Sequence, residues 1–241
     1  LSVMNAHHTR RFVILLLVIS CLAGLVRRSD AAERPNIVWI IVEDMSSHFS
    51  CYGEKTIRTP HVDALAKSGV RFTRAFVTAP VCSTARSALI TGMYQTSIGA
   101  HHHRSGRGAQ KINLPKHIQL VPELFREAGY HTSNGGITNR GQRIGKTDYN
   151  FQWNASAYDG NDWSGRKKDQ PFFTQIQLRG GKLRHGKTWH AQVAKTIKNP
   201  VTAADVTLPP YYPNDAIILN DWADYLNTVT WTDNEVGRIV G

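Results

Sequence analysis

Residues 37 to 42, IVWIIV, are an unbroken apolar run rich in β-branched side chains, the pattern of a parallel strand buried on both faces. The run ends on two carboxylates, Glu43 and Asp44. In residues 58 to 72, RTPHVDALAKSGVRF, Thr59 suits a helix N-cap and Pro60 the first turn. Val62, Leu65 and Ala66 form an apolar stripe that Gly69 closes. The stretch 70 to 78, VRFTRAFVT, alternates like a strand, and a loop around Cys82 leads into a short helix from about Ala85 to Ile90. LVPELFREAGYHTS predicts a helix stopped at Gly129 and then a strand, and PFFTQIQL predicts one more strand. Strands alternating with helices predict an α/β domain with a largely parallel central sheet flanked by helices.

From Gly135 to Asp169 the pattern dissolves into Gly, Asn, Asp and basic residues, which predicts loop around a surface site. The C-terminal stretch reads as a long amphipathic helix with Ile218, Trp222, Tyr225, Val229 and Val236 on one side. A parallel sheet expects a further strand after such a helix, so residues 32 to 241 read as an incomplete, C-terminally truncated catalytic domain. No internal repeat or low-complexity tract interrupts the chain.

Formal net charge is +11, and residues 1 to 31 hold four arginines (10, 11, 27, 28) against Asp30, leaving +8 on the rest. That surplus favours anionic partners: nucleic acid, anionic membrane surface, or sulfated and phosphorylated substrates. No helix-turn-helix, zinc-finger or RNP pattern accompanies the charge, so nucleic acid is a poor fit. Residues 1 to 31 read as a secretion signal: a basic start, an apolar run from Phe12 to Val26 and small residues near Ala31. The run is short for a membrane span; lipid attachment at Cys21 is the lesser alternative. Export to a periplasmic or extracellular compartment follows. Only Cys51 and Cys82 then remain, enough for one disulfide and too few for a zinc cluster.

Two places carry candidate chemistry. Adjacent carboxylates at the end of a buried strand, Glu43 and Asp44, repel each other unless neutralised, and an oxygen-only pair suits Ca²⁺ or Mg²⁺; a solvated turn is the plain alternative. Cys82 and Arg86 are four apart, on one helix face, where free N–H groups, the helix dipole and a guanidinium would hold a tetrahedral oxyanion. Cys82 as a thiolate nucleophile, or as a small buried apolar residue, fits the same spacing.

RPNIVWIIVEDM, then CYG, then TPHVDALAKSGVRFTRAFVTAPVCSTARSALITGMY, resembles the N-terminal part of the formylglycine-dependent sulfatases of the alkaline-phosphatase-like superfamily, with a weaker likeness to their sulfamidase-like branch. The resemblance runs well over residues 35 to 150 and thins afterwards. It implies that Cys82 is oxidised by a formylglycine-generating or other sulfatase-maturating enzyme to an aldehyde. The hydrate of that aldehyde attacks sulfur, expels the alcohol and then releases sulfate by elimination. It further implies Glu43, Asp44 and modified Cys82 as ligands of Ca²⁺ or Mg²⁺, Arg86 as a clamp on the hydrate, and Lys146 as the sulfate grip.

Several residues depart from the family pattern. Glu43 stands where the family usually has Asp, and Thr84 where its modification signal has Pro or Ala. Asp148 replaces a histidine, and Lys182 or His185 stands in for a Pro-His after the PFF strand. Among His101, His102 and His103, His103 is the candidate pocket residue and proton donor. The basic runs 166 to 168 and 179 to 187 suit solvated surface or a sulfated polysaccharide. Asp233 and Asn234 are set aside as metal ligands, being read as helix surface. The expectation is a sulfatase acting on sulfate esters or sulfamates of glycans, with little activity in residues 1 to 241 alone. Two alternatives stand beside it: a phosphonate or phosphate ester hydrolase of the same superfamily, and a non-catalytic module that binds sulfated glycans.

Overall fold

The computed structural model describes residues 34–136 and 144–241; residues 1 to 31, expected to be a secretion signal, and Cys21 among them lie outside the described residues. Of the unit Leu1–Pro35 only Arg34 and Pro35 are described, and the fold below is that of Asn36–Gly241. In chain order its elements are β1 (Ile37–Val42), α1 (Pro60–Ser68), α2 (Cys82–Thr91), α3 (Val121–Glu127), β2 (His131–Gly135), β3 (Phe172–Leu178), α4 (Trp189–Thr196) and α5 (Ala216–Val240), with short 3₁₀ turns between them.

The described strands make one parallel sheet in the order β1-β3-β2, with Ile37 opposite Phe173 and His131 opposite Phe172. β3 lies in the middle, buried at every position but Gln177. β1 was expected to be buried on both faces. It is instead half-buried, with Val38 42% exposed, because among the described strands it pairs on one side only.

The stretch 70 to 78 is a second correction. It forms bends and coil rather than a strand, and Val70, Phe72, Phe76 and Val77 are exposed. A strand needs a ladder partner for its N–H and C=O groups, and no described strand runs beside this one. The third correction concerns 144 to 169, which is core as well as loop. Tyr149, Phe151, Ala157 and Tyr158 pack with Ile90, Ile98, Ala100 and Leu120 into one apolar cluster. The aromatic side chains there are hydrophobic mass without a regular period, which a periodicity reading passes over.

α2 starts at Cys82, a turn earlier than expected: the Ala85 N–H donates to the Val81 carbonyl at 2.9 Å and the Thr84 hydroxyl to the same oxygen at 2.8 Å. α5 is capped by Asp215, which accepts from the Ile217 N–H at 2.8 Å. Its Tyr225, Leu226 and Val229 pack with Ile57, and its Val236 packs with Ile176 and Leu178 of β3. Asp233, read as surface, is 1% exposed. Its carboxylate accepts from the N–H groups of Val62 at 2.8 Å and His61 at 3.3 Å, so it supplies the N-terminal cap that Thr59 does not give α1.

Candidate active site

Three loops meet at the carboxyl ends of β1 and β3. The Glu43 N–H continues the sheet, donating to the Leu178 carbonyl at 3.1 Å, and the Gly181 N–H returns a bond to the Glu43 carbonyl at 3.0 Å. The glycine pair makes this approach possible: Gly180 has φ +49, and a Cβ on Gly180 or Gly181 would collide with the backbone carbonyl of Glu43 or Asp44. The next residue, Lys182, is thereby set against Glu43.

Around Glu43, whose side chain is 9% exposed, three cations gather. Arg86 Nη2 lies 3.0 Å from Oε1, Lys182 Nζ lies 3.2 Å from Oε2, and Lys146 Nζ donates to Oε1. Burial pushes the Glu43 carboxyl upward, but the Lys146 hydrogen bond, the Arg86 charge and Lys182 outweigh it and hold the group below the ordinary carboxylate range. Lys182 also donates to Cys82 Sγ at 3.3 Å and lies 3.9 Å from Asp44 Oδ1. Burial would lower its pKa; the Cys82 and Glu43 partners raise it above the usual lysine range, so it stays charged.

Cys82, at the first position of α2, thus faces an ammonium at the positive end of a helix whose first turn carries no acidic residue. Both described cysteines are free, so the disulfide that Cys51 and Cys82 permit is not formed. Buried Arg86 spends Nη1 on the Lys146 carbonyl at 3.0 Å and on Gln177 Oε1 at 2.7 Å, and Nη2 on Glu43. Gln177 in turn donates to Asn134 Oδ1 at 2.9 Å, tying α2 to β3 and β2.

Lys146 is held from behind by Asp148, 3.5 Å from its Nζ. Asp148 is 6% exposed and in the left-handed region at φ 51. It accepts from Arg104 at 3.0 and 3.1 Å and pairs with Arg107. Burial raises its carboxyl, and Arg104, Lys146 and Arg107 more than offset that. The histidine run is anchored at the same corner, with His103 Nδ1 2.9 Å from Ser83 Oγ and the Arg104 N–H donating to that oxygen at 2.9 Å.

The structure therefore brings together Cys82, Arg86, Lys146, Lys182, Glu43 and Asp44, with His103 one residue away through Ser83. His185 is exposed, and the structure does not bring it into this network. Gln177, Arg104 and Ser83 escaped the sequence reading of the site, and Asp148 entered it only as a departure from the family pattern. The polar positions inside the otherwise apolar strand PFFTQIQL were the available signal for Gln177. The rest depend on loop geometry.

The donor set fits a hard divalent cation in kind but not in number. Glu43 and Asp44 are oxygen ligands, yet among the described residues no three His, Cys, Asp or Glu side chains gather as a cation site, and Ca²⁺ takes roughly six to eight oxygens. The expected set of Glu43, Asp44 and Cys82 is thus not assembled as one metal centre: both Glu43 oxygens face ammonium groups, and Asp44, at φ 46, is 41% exposed.

A family model described as Sulfatase matches residues 35–241. An ulvan-active sulfatase of Formosa agariphila is 29% identical over 86% of this chain and 40% of its own length. A protein solved in complex with its substrate D-glucosamine-2-N,6-O-disulfate superposes with a TM-score of 0.56 at 16% identity, over 86% of this chain and 61% of that one. A phosphonate monoester hydrolase of Agrobacterium radiobacter does so with a TM-score of 0.54 at 16% identity, over 86% and 58%. The chain thus spans 40% of the length of the ulvan-active sulfatase and about three fifths of each of these two solved proteins.

Proposed function

The chain belongs to the sulfatase family, with the α/β fold of the alkaline-phosphatase-like enzymes, and from that premise we propose that it hydrolyses sulfate esters of glycans at Cys82. The observation that carries this reading is the placement of Cys82 at a helix N-terminus with the Lys182 ammonium on its sulfur, and with Lys182 and Lys146 both on the Glu43 carboxylate. That arrangement suits an anion whose charge must be held while its bond to an alcohol breaks.

In this proposal Cys82 is converted after translation to formylglycine, and its sulfur marks where the oxygens of the hydrated aldehyde would stand. That group supplies an oxygen nucleophile able to release sulfate by elimination rather than by a second attack of water. Lys146 and Lys182 bind the sulfate oxygens. Arg86, buried and spent on Glu43, Gln177 and the Lys146 carbonyl, fixes the positions of both the carboxylate and the lysine. His103, held through Nδ1 by Ser83, gives the leaving alcohol its proton from Nε2. Glu43 and Asp44 would contribute oxygens to a Ca²⁺ or Mg²⁺ site, whose ion would polarise the sulfate; the described residues alone do not complete its ligand set.

Sulfated glycans are the substrate class we assign, supported by the ulvan-active relative and by the basic surface. Residues 1 to 31 direct export, and a maturating enzyme acts on Cys82. Turnover of 4-nitrophenyl sulfate, 4-nitrophenyl phosphate and a phenyl phosphonate monoester by the full-length, metal-loaded protein, with Cys82→Ala as control, tests the reading. A kcat/KM for sulfate at least about a hundredfold above the other two is expected, a difference of about 2.7 kcal/mol. Preference for the phosphonate, or activity surviving Cys82→Ala, would sink it.

A further inference from the structure

Beside the reaction site a cleft of about 440 Å³ opens between the chain after β1 and the first turns of α5. One of its walls is Asp44, the residue 3.9 Å from Lys182, so the cleft and the anion site share an edge. Tyr211, Tyr212, Trp222 and Tyr225 contribute four aromatic rings to the rest of its lining. Tyr211 and Tyr212 have ring centres 4.8 Å apart, and Tyr212 lies 5.9 Å from Trp222. Tyr211 is 74% exposed and Tyr212 44%, so their ring faces are available to a ligand. Arg184 closes the remaining side, donating to Asp221 at 2.9 Å and to the Gly181 carbonyl at 2.6 Å. The latter bond ties this rim to the loop that carries Lys182.

The two neighbouring sites differ in charge, and that difference selects the ligand. Around Cys82 three cations face one buried carboxylate. In the cleft each of the two exposed carboxylates already has a cation beside it, Asp221 the guanidinium of Arg184 and Asp44 the ammonium of Lys182 at the shared edge. A sulfate there would find no cation free of a carboxylate, whereas hydroxyls would find both donors and acceptors. Flat aromatic faces with a negative π surface pack against the weakly positive C–H face of a sugar ring, and a volume within the usual range for ligand pockets accommodates one. Resting on the sulfatase reading of the adjoining site, we propose that this cleft is a saccharide subsite that binds an unsulfated pyranose flanking the sulfated residue. The substrate is accordingly an oligo- or polysaccharide rather than a lone sulfated sugar.

The test uses the full-length, metal-loaded protein and two readouts. Calorimetric titration with chemically desulfated oligosaccharides of ulvan, chondroitin and carrageenan measures the cleft alone, and turnover of 4-nitrophenyl sulfate measures the anion site alone. At least one desulfated oligosaccharide is expected to bind. Tyr211→Ala and Tyr212→Ala, at exposed positions, should each weaken that binding about tenfold and leave 4-nitrophenyl sulfate turnover unchanged. Absence of binding by all three glycans, binding indifferent to both substitutions, or an equal fall in aryl sulfate turnover would overturn the assignment. Aromatic-dependent glycan binding by a chain that hydrolyses no sulfate ester would instead overturn the sulfatase reading and leave the cleft assignment standing.

Discussion

Lys182 Nζ donates to Cys82 Sγ at 3.3 Å across one hundred residues of chain, and the same nitrogen lies 3.2 Å from Glu43 Oε2. One ammonium thus joins the loops after β1 and β3 to the first turn of α2. Its position depends on the glycine pair before it, because any side chain there would push the loop off Glu43.

Lys182→Met should reduce kcat/KM for 4-nitrophenyl sulfate by about a hundredfold to a thousandfold, as for loss of one preorganised charge donor. Lys182→Arg should recover part of that loss. Steady-state kinetics on the pair decides it; a Met variant within a few-fold of the parent would show that Lys182 holds no substrate charge.

Arg86→Met leaves Glu43 without its buried guanidinium and Gln177 Oε1 without a donor. Denaturant unfolding should show a loss of about 3 kcal/mol. Arg86→Lys should recover only part of it, since one ammonium cannot satisfy three acceptors in a fork.

Acid stability follows from Glu43 and Asp148. Their folded carboxyls sit below the ordinary range, so the stability they contribute is complete above their unfolded pKa values and is lost as pH falls through the folded ones. Glu43→Gln and Asp148→Asn should each flatten the acid limb of a stability-against-pH curve below the ordinary carboxylate range. Asp233 and Glu235 act in the opposite sense: burial raises both, and their contribution falls as pH rises from the unfolded value through the folded one. An acid limb identical in Glu43→Gln and the parent would contradict this account.

Asp233→Ala removes the cap on α1 and should cost about 1 to 2 kcal/mol, read from urea midpoints. It should leave the metal dependence of turnover unaltered. A selective loss of metal affinity would instead assign Asp233 the ligand role rejected above.

His103→Ala should slow hydrolysis of a sugar sulfate, whose alcohol leaves poorly without a proton, by about a hundredfold. It should affect 4-nitrophenyl sulfate several-fold at most. Equal losses on both substrates would assign His103 to packing on Ser83.

Mass spectrometry of the tryptic peptide Ala75 to Arg86 from protein made in its own cell reports the fate of Cys82. A lighter peptide that resists thiol alkylation and reacts as an aldehyde is expected. Thr84, 2% exposed with its hydroxyl on the Val81 carbonyl, is compatible with the helix start where the family carries Pro or Ala. A fully alkylated cysteine would move the binding-module reading ahead.

Local order along the chain was enough to predict β1 over 37 to 42, β3 over the PFF run, α1 between Thr59 and Gly69, and the long α5, because each is announced by a hydrophobic period and by its own start or stop residues. It also sufficed for Cys82, Arg86, Glu43 and Asp44 as candidates, since motif spacing is local. Folding alone settled the rest. The apolar segment 70 to 78 stays unpaired because pairing is a property of neighbours, not of the segment. Asp233 is a buried cap rather than helix surface because α1 lies against it. The cluster at Cys82 joins residues from 43 to 182, and such long-range convergence of charge on one carboxylate is decided by where strands end and how closely two glycines let them approach.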